Sequence, residues 1–323
     1  EVSTISLSAI VLINAGWADA GLHPEVFWLG YATITAAGWN PRANPQELNE
    51  SFYRAFYGPG AAKMERLYQL MSYQAQFWAD SWERVDSTAR KSIFGGSRRI
   101  FVPRQAAKDF ALELPETPAP VTLGYAYPWS WANRRRLELA AQFRREYDEL
   151  VALLEENRRK VELNGYNLEV FHSIAELYKE NYDFLEGLKR IDERFTAADQ
   201  AARSGQKQQA LAALDQALDE ARELRKRRNL ALRAAEQTWY KSWQPRVLAA
   251  NGRQFFHHLD DVKDHEPART VDLRYLVYRE LLLPFDAWYE NVRAARNSYA
   301  SKHGLRARSD SLNWKNLDPE SKP

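Results

Sequence analysis

The sequence of 323 residues contains no cysteine and carries almost no net charge. Without cysteine the chain has no disulfide, no thiolate metal site and no cysteine nucleophile, and its redox compartment stays open. Its 45 basic and 43 acidic residues nearly cancel. This balance gives no global field that would attract nucleic acid or an anionic membrane, so neither is expected as a partner.

Hydrophobic runs long enough to cross a membrane are also missing. The apolar run from Ile5 to Ile13 is far shorter than the roughly 20 residues that a membrane-spanning helix needs. It has no basic segment before it, so it is not typical of a signal peptide. Because the sequence begins with Glu1 and not with methionine, we expect it to be a processed or truncated part of a longer protein.

Aromatic side chains, in contrast, are abundant: the chain has 11 Trp, 16 Tyr and 14 Phe. They suit a thick hydrophobic core or stacking surfaces for flat ligands such as sugars, and the core is the favoured interpretation for most of them. With 45% hydrophobic and 27% charged residues, the composition is that of a folded globular protein.

The first forty residues differ in pattern from the rest. Ala9 to Asn14 is a β-branched run typical of a strand that is buried on both faces of a parallel sheet. A loop at Gly16–Gly21 follows, and an apolar helix is predicted from about Glu25 to Trp39. The order strand, loop, helix is the repeating unit of α/β folds.

After this unit the pattern becomes helical. The pair Asn44-Pro45 predicts the start of a helix that ends before Gly58, and a second helix is predicted over residues 61–85. Residues 94–128 are rich in proline and glycine, so we expect an irregular connection and a domain boundary there.

From residue 129 onward, apolar side chains recur at alternating steps of three and four, which predicts long amphipathic helices. The four helices are expected at about 130–162, 167–204, 211–243 and 281–299, and Asn167 is expected to cap the second of them. Short connections between the first three imply antiparallel neighbours. The sequence therefore predicts a mainly α protein with an antiparallel bundle of long helices over 129–304, and a polar tail at 305–323 that frays.

The loop after the predicted strand is the best candidate for a binding site. It lies at the carboxyl end of the strand, where α/β folds place their sites. The indole of Trp17 offers an apolar plane for a sugar ring, Asp19 offers an acceptor for sugar hydroxyls, and His23 adds a further polar contact. A structural alternative is that Trp17 fills the rim of a barrel and Asp19 caps the following helix.

Other polar groups are interpreted as structural. His257–His265 is rich in ligand types but has no spacing typical of zinc or calcium sites, so a polar connection is favoured and no metal is expected. Acidic pairs and basic clusters on the periodic helices are interpreted as solvated faces: Asp148-Glu149, Asp192-Glu193, Asp219-Glu220, Arg134–Arg136 and Arg225–Arg228.

One long segment resembles a known family. Residues 14–58, NAGWADAGLHPEVFWLGYATITAAGWNPRANPQELNESFYRAFYG, resemble the end of the catalytic barrel in glycoside hydrolase family 20, the β-N-acetylhexosaminidase-like enzymes. In that family the last barrel strand leads into a Trp, then an acidic residue two positions on, and then a helix that ends in Trp. Three later segments are similar to the helical C-terminal extension of certain bacterial members: NLEVFHSIAELYKENYDFLEGL, QTWYKSWQPR and RTVDLRYLVYRELLLPFDAWYENVR.

The resemblance implies that residues 1–93 hold the last βα unit of a (β/α)8-type barrel together with the helices that follow it. Trp17 would then form part of the pocket wall around an N-acetylated amino sugar, and Asp19 would accept bonds from its hydroxyls. The family hydrolyses terminal N-acetylated amino sugars by a substrate-assisted retaining mechanism, which uses an Asp-Glu pair on an earlier strand and no cofactor. Since no such pair follows a strand here, this chain alone is expected to be inactive.

The partners that follow from the resemblance are an N-acetylated glycan and either the missing barrel portion or another copy of this chain. A periplasmic or secreted location fits the bacterial members. Two alternatives stay open: a non-catalytic helical scaffold or interaction module whose N-terminal strand pairs elsewhere, and a helical sugar-binding protein that uses the Trp-rich segment Trp129-Ser130-Trp131.

Overall fold

The computed structural model describes residues 24–82, 114–239, 241–242, 247–250, 253–256 and 275–310. Within these ranges the chain is mainly helical, and its longest helices pack side by side as a bundle. The predicted mainly α class is therefore confirmed. The strand expected at residues 9–14 lies outside the described residues.

In the described ranges a short 3-10 turn, Pro24–Phe27, precedes eight α-helices and one β-hairpin. The helices are α1 (Trp28–Trp39), α2 (Pro45–Tyr57), α3 (Met64–Trp82), α4 (Trp129–Ala132), α5 (Arg134–Lys160), α6 (Gly165–Arg203), α7 (Lys207–Trp239) and α8 (Tyr275–Lys302). Strands β1 (Val247–Ala250) and β2 (Arg253–Phe256) pair antiparallel between α7 and α8. The sequence patterns did not predict this hairpin.

The helix boundaries follow local chemistry at most points. The side chain of Asn44 caps α2 by accepting a hydrogen bond from the Gln46 amide at 2.9 Å, as predicted. Gly58 ends the helix with φ +88°, a conformation that favours glycine. At α6 the prediction was wrong in detail: the helix begins at Gly165, and Asn167 is a buried residue of its first turn and not its cap.

Helix α6 forms the centre of the bundle. Its 39 residues would extend for about 58 Å at the usual rise. Helix α7 packs against it antiparallel, since Gly187 faces Leu224 and Arg190 donates to Glu220 at 2.9 Å. Helices α3 and α5 pack on another side of α6, and α8 packs against α7. One hydrophobic core therefore joins α2 and α3 to the helices beyond the Pro-rich connection.

Helix α1 is an exception to this packing. Its sequence WLGYATITAAGW has no charged residue, which is typical of a helix covered on all sides. None of its residues is buried, however, and Trp39 is 93% exposed. Its main contacts are with α2 and with the preceding turn. No helix in the described ranges is long and apolar enough to cross a membrane.

The segment after α8 is held in place, although the sequence predicted that it frays. Arg308 donates to Asp219 of α7 at 2.8 Å and lies 2.9 Å from Asp310. The side chain of Asp310 is 4% exposed and accepts a hydrogen bond from the buried guanidinium of Arg296 in α8. Residues 305–310 are thus fixed to two helices by ion pairs, and the expectation was wrong for them. Residues 311–323 lie outside the described ranges.

Candidate functional site

The predicted sugar-binding residues Trp17, Asp19 and His23 lie outside the described residues, which begin one position later, at Pro24. The structure therefore describes how the chain after this loop is held. The segment 257–265 is likewise outside the described ranges. Among the residues that are described, no cluster of His, Asp or Glu could hold a metal ion.

A network of hydrogen bonds fixes the start of α1 to the bundle. Asn167 of α6 donates from Nδ2 to the backbone oxygen of Glu25 at 2.7 Å and to its carboxylate at 3.0 Å. The Tyr57 hydroxyl of α2 donates to Oδ1 of Asn167 at 2.5 Å. It also lies 2.8 Å from the hydroxyl of Tyr68 on α3. Four elements thus meet at one point, two residues after His23.

Burial determines the electrostatics of this network. It raises the pKa of the Tyr57 hydroxyl well above its usual value, and it raises the pKa of Tyr68 as well. Both phenols therefore stay protonated at neutral pH, so that they donate and accept hydrogen bonds without carrying charge. The two phenols therefore hold the segment at Glu25 in place but provide neither a base nor a nucleophile.

An open cleft of about 510 Å³ lies beside this network, between α2 and the start of α3. Its lining includes Tyr53, Lys63 and Glu65. The Glu65 carboxylate accepts hydrogen bonds from Tyr53 at 2.9 Å and from Asn49 at 3.3 Å, and its other oxygen accepts one from Gln69. Because both oxygens are engaged, Glu65 is a structural acceptor within the α2–α3 joint.

Most of the acidic pairs form surface ion pairs, as interpreted from the sequence. The structure gives these partners: Glu149 with Arg66, Asp148 with Arg144, Asp219 with Arg308, and Glu220 with Arg190. Exposed pairs of this kind contribute at most about 1 kcal/mol each and indicate no catalytic role.

Asp192 corrects that interpretation, because it is only 1% exposed. Its carboxylate accepts hydrogen bonds from the backbone amides of Trp129 at 2.8 Å and Ser130 at 2.9 Å, and from the hydroxyl of Tyr125. It thereby caps the start of α4 from the side of α6. The burial of Asp192 could have been predicted from the sequence, since Asp192 follows Leu188 by four positions and lies on the apolar stripe of its helix.

Glu180 of α6 is a second buried carboxyl that the sequence analysis missed. Burial raises its pKa to about 7, opposed by the positive charges of Arg228 and Arg227 on α7. The guanidinium of Arg228 lies 4.4 Å from the ring centroid of Phe184, one turn along α6 from Glu180. Glu180 of α6 and the two arginines of α7 thus form a polar layer within the α6–α7 interface.

Comparison with protein-family models, curated proteins and solved structures finds no match. The resemblance to family 20 glycosidases therefore depends on the quoted residues. Among the described residues, the features that bear on it are the network at Glu25 and the uncovered helix α1.

Proposed function

We propose that this chain is the C-terminal, non-catalytic portion of a glycosidase resembling the β-N-acetylhexosaminidases. The observation that carries the proposal is helix α1, which has no charge and no buried residue. In a (β/α)8 barrel each outer helix packs one face on the strands. An outer helix without the rest of its barrel lacks that cover, and α1, which has no charged residue, likewise has no buried residue.

In the proposed function, the loop residues bind the sugar and the bundle holds the loop. Trp17 forms a wall for the ring of an N-acetylated amino sugar, Asp19 accepts bonds from its hydroxyls, and His23 adds a polar contact. The Asp-Glu pair, which orients the acetamido group and protonates the leaving oxygen, belongs to the barrel portion outside this chain. The bundle supports the subsite through the bonds of Asn167 to Glu25.

A second candidate function is a non-catalytic scaffold that binds a partner protein through α1. The exposure of Ile34 and Trp39 favours it as well, because a helix without charged residues then offers apolar side chains to a partner. The two candidates differ in the partner: a glycosidase barrel in the first and an unrelated protein in the second.

The coding sequence immediately upstream of Glu1 tests the proposal. We expect it to encode barrel strands, one of them followed by an Asp-Glu pair. When the upstream product and this chain are produced together, Asp19→Asn should lower kcat/KM on a chromogenic N-acetyl-β-glucosaminide at least 100-fold, about 3 kcal/mol in transition-state stabilisation.

Asp148→Asn is the matched control, because it makes the same change on the exposed face of α5, and it should leave the rate unchanged. An upstream sequence without barrel strands would refute the proposal and favour the scaffold.

A further inference from the structure

Four aromatic residues alternate between buried and exposed positions where the irregular connection enters α4. Tyr125 and Trp129 point into the bundle and are 9% and 5% exposed, whereas Tyr127 and Trp131 are 75% and 68% exposed. Since four residues of chain span at most about 14 Å, the Cα atoms of the two exposed residues lie no farther apart than that, a distance that a short oligosaccharide can span.

Hydrogen bonds to Asp192 of α6 and from Asn133 fix the turn that carries these rings. Asp192 accepts hydrogen bonds from Tyr125, Trp129 and Ser130, and Asn133 donates to the backbone oxygen of Trp129 at 3.0 Å. A buried carboxylate and two buried rings thus hold the backbone. The backbone that carries the two exposed rings is therefore fixed on both sides of Trp129.

The Trp131 ring is itself oriented by a cation. The guanidinium of Arg134 lies 5.1 Å from the ring centroid, and it donates to the backbone oxygen of Trp131 at 3.2 Å. One face of the indole is thereby occupied. With the residue 68% exposed, the other face is open to a ligand.

The neighbouring arginines argue against a nucleic acid as that ligand. Arg134 is engaged with Trp131, Arg135 bonds Glu138 at 3.1 Å, and the buried Arg136 bonds Asn133 at 2.6 Å. Binding of single-stranded nucleic acid needs a positive groove that follows the phosphates as well as stacking rings. All three guanidinium groups already have partners within the chain.

The size of the surface argues against a protein partner. Two aromatic side chains offer about 150–250 Å² each. A specific protein interface buries about 800 Å² on each partner. A small ligand with an apolar face fits the two rings better, and the C–H groups of one face of a pyranose ring are attracted to the negative face of an indole or phenol.

We infer that Tyr127 and Trp131 form a glycan-binding surface that stacks the apolar faces of sugar rings in a short oligosaccharide. This surface is separate from the Trp17 loop and does not depend on the proposed function, since a scaffold protein can carry it equally. Hydroxyl groups of the sugar would reach the backbone and polar side chains around the turn, which provide orientation.

The test is a titration of the full chain with triacetylchitotriose, followed by ligand-observed NMR. We expect saturable binding, a Kd that rises at least tenfold in Trp131→Ala and several-fold in Tyr127→Ala, and binding retained in Trp131→Phe. Trp39→Ala is the matched control, because it removes an indole from α1 that is even more exposed, at 93%, and it should leave the Kd unchanged. Trp17→Ala is measured in parallel, because any binding at the Trp17 loop would be lost in this variant and not in Trp131→Ala.

Three results would overturn the inference: no saturable binding of the trisaccharide, equal binding by Trp131→Ala and the unchanged chain, or a loss in Trp17→Ala alone. Tighter binding of a ten-residue oligothymidylate, with loss in Trp131→Ala, would assign the surface to nucleic acid instead. Thermal unfolding of each variant separates lost binding from lost folding, and Trp131→Ala is expected to unfold like the unchanged chain because the ring is exposed.

Discussion

Asp192 connects the central helix to the turn that begins α4, and three donors converge on its carboxylate. The substitution Asp192→Ala leaves two amides and one hydroxyl without their acceptor in a buried site. We expect it to lower the free energy of unfolding by about 3 kcal/mol, measured by urea denaturation. Glu193→Ala, one residue along and exposed, should change it by less than about 0.5 kcal/mol. Equal effects of the two variants would contradict the capping role.

Glu180 makes the stability of the bundle depend on pH. Its pKa is about 7 in the folded protein and near 4.5 in the unfolded chain, so the folded state binds more protons between these values. The stabilisation is complete below pH 4.5 and is lost as pH rises through 7. From this group alone we expect the free energy of unfolding to fall by about 2 kcal/mol between pH 5 and pH 8.

Glu180→Gln removes that titration. The difference in unfolding free energy between the variant and the unchanged chain should therefore shift in favour of the variant as the pH rises from 5 to 8. Urea denaturation at both pH values measures it, with the exposed Glu193→Gln as control. A difference that stays constant with pH would show that Glu180 titrates alike in both states.

At the scale of elements, α6 and α7 pack tightly where Gly187 faces Leu224. A Cβ at this position would lie 2.2 Å from a methyl carbon of Leu224. We expect Gly187→Ala to lower the free energy of unfolding by about 2 kcal/mol, because overpacking outweighs the better helix propensity of alanine.

Gly30→Ala is the matched control for this prediction. Gly30 also lies inside a helix, α1, but nothing lies within 4 Å of its added Cβ. The same substitution should therefore stabilise the chain by about 0.5 kcal/mol. A stabilising effect at both positions would contradict the tight packing of α6 on α7.

The helices and the hairpin show how much of the fold could be predicted from the sequence. The long helices could be predicted, because their apolar side chains repeat with the helical period and face one core. The β1–β2 hairpin could not, since two four-residue strands give too short a pattern. Asn167 was assigned as a cap from its residue type, whereas bonds from Tyr57 and to Glu25, more than 100 residues away, determine its place.

The candidate site was predicted less completely than the fold. The alternation of buried and exposed aromatics around Trp129 depends on Asp192, which is distant in sequence, so only the richness in Trp was visible. Trp17, Asp19 and His23 lie outside the described residues and stay a prediction.

At the scale of the whole molecule, the uncovered helix α1 predicts association. Ile34 is exposed in this chain, so Ile34→Asp should change its unfolding free energy by less than about 1 kcal/mol. If α1 packs on the upstream barrel portion, the same substitution should raise the Kd for that portion at least tenfold, measured by titration calorimetry. Ser51→Asp adds the same charge to the exposed face of α2 and should have no effect. An unchanged Kd in Ile34→Asp would exclude α1 from the contact.

We propose that this chain completes a glycosidase whose general acid lies elsewhere. The most direct test is the initial rate of hydrolysis of a chromogenic N-acetyl-β-glucosaminide by the upstream product, by this chain, and by the two together. We predict turnover by the pair that saturates at equimolar ratio, and none by this chain alone. Turnover by this chain alone, or full activity of the upstream product without it, would contradict the claim.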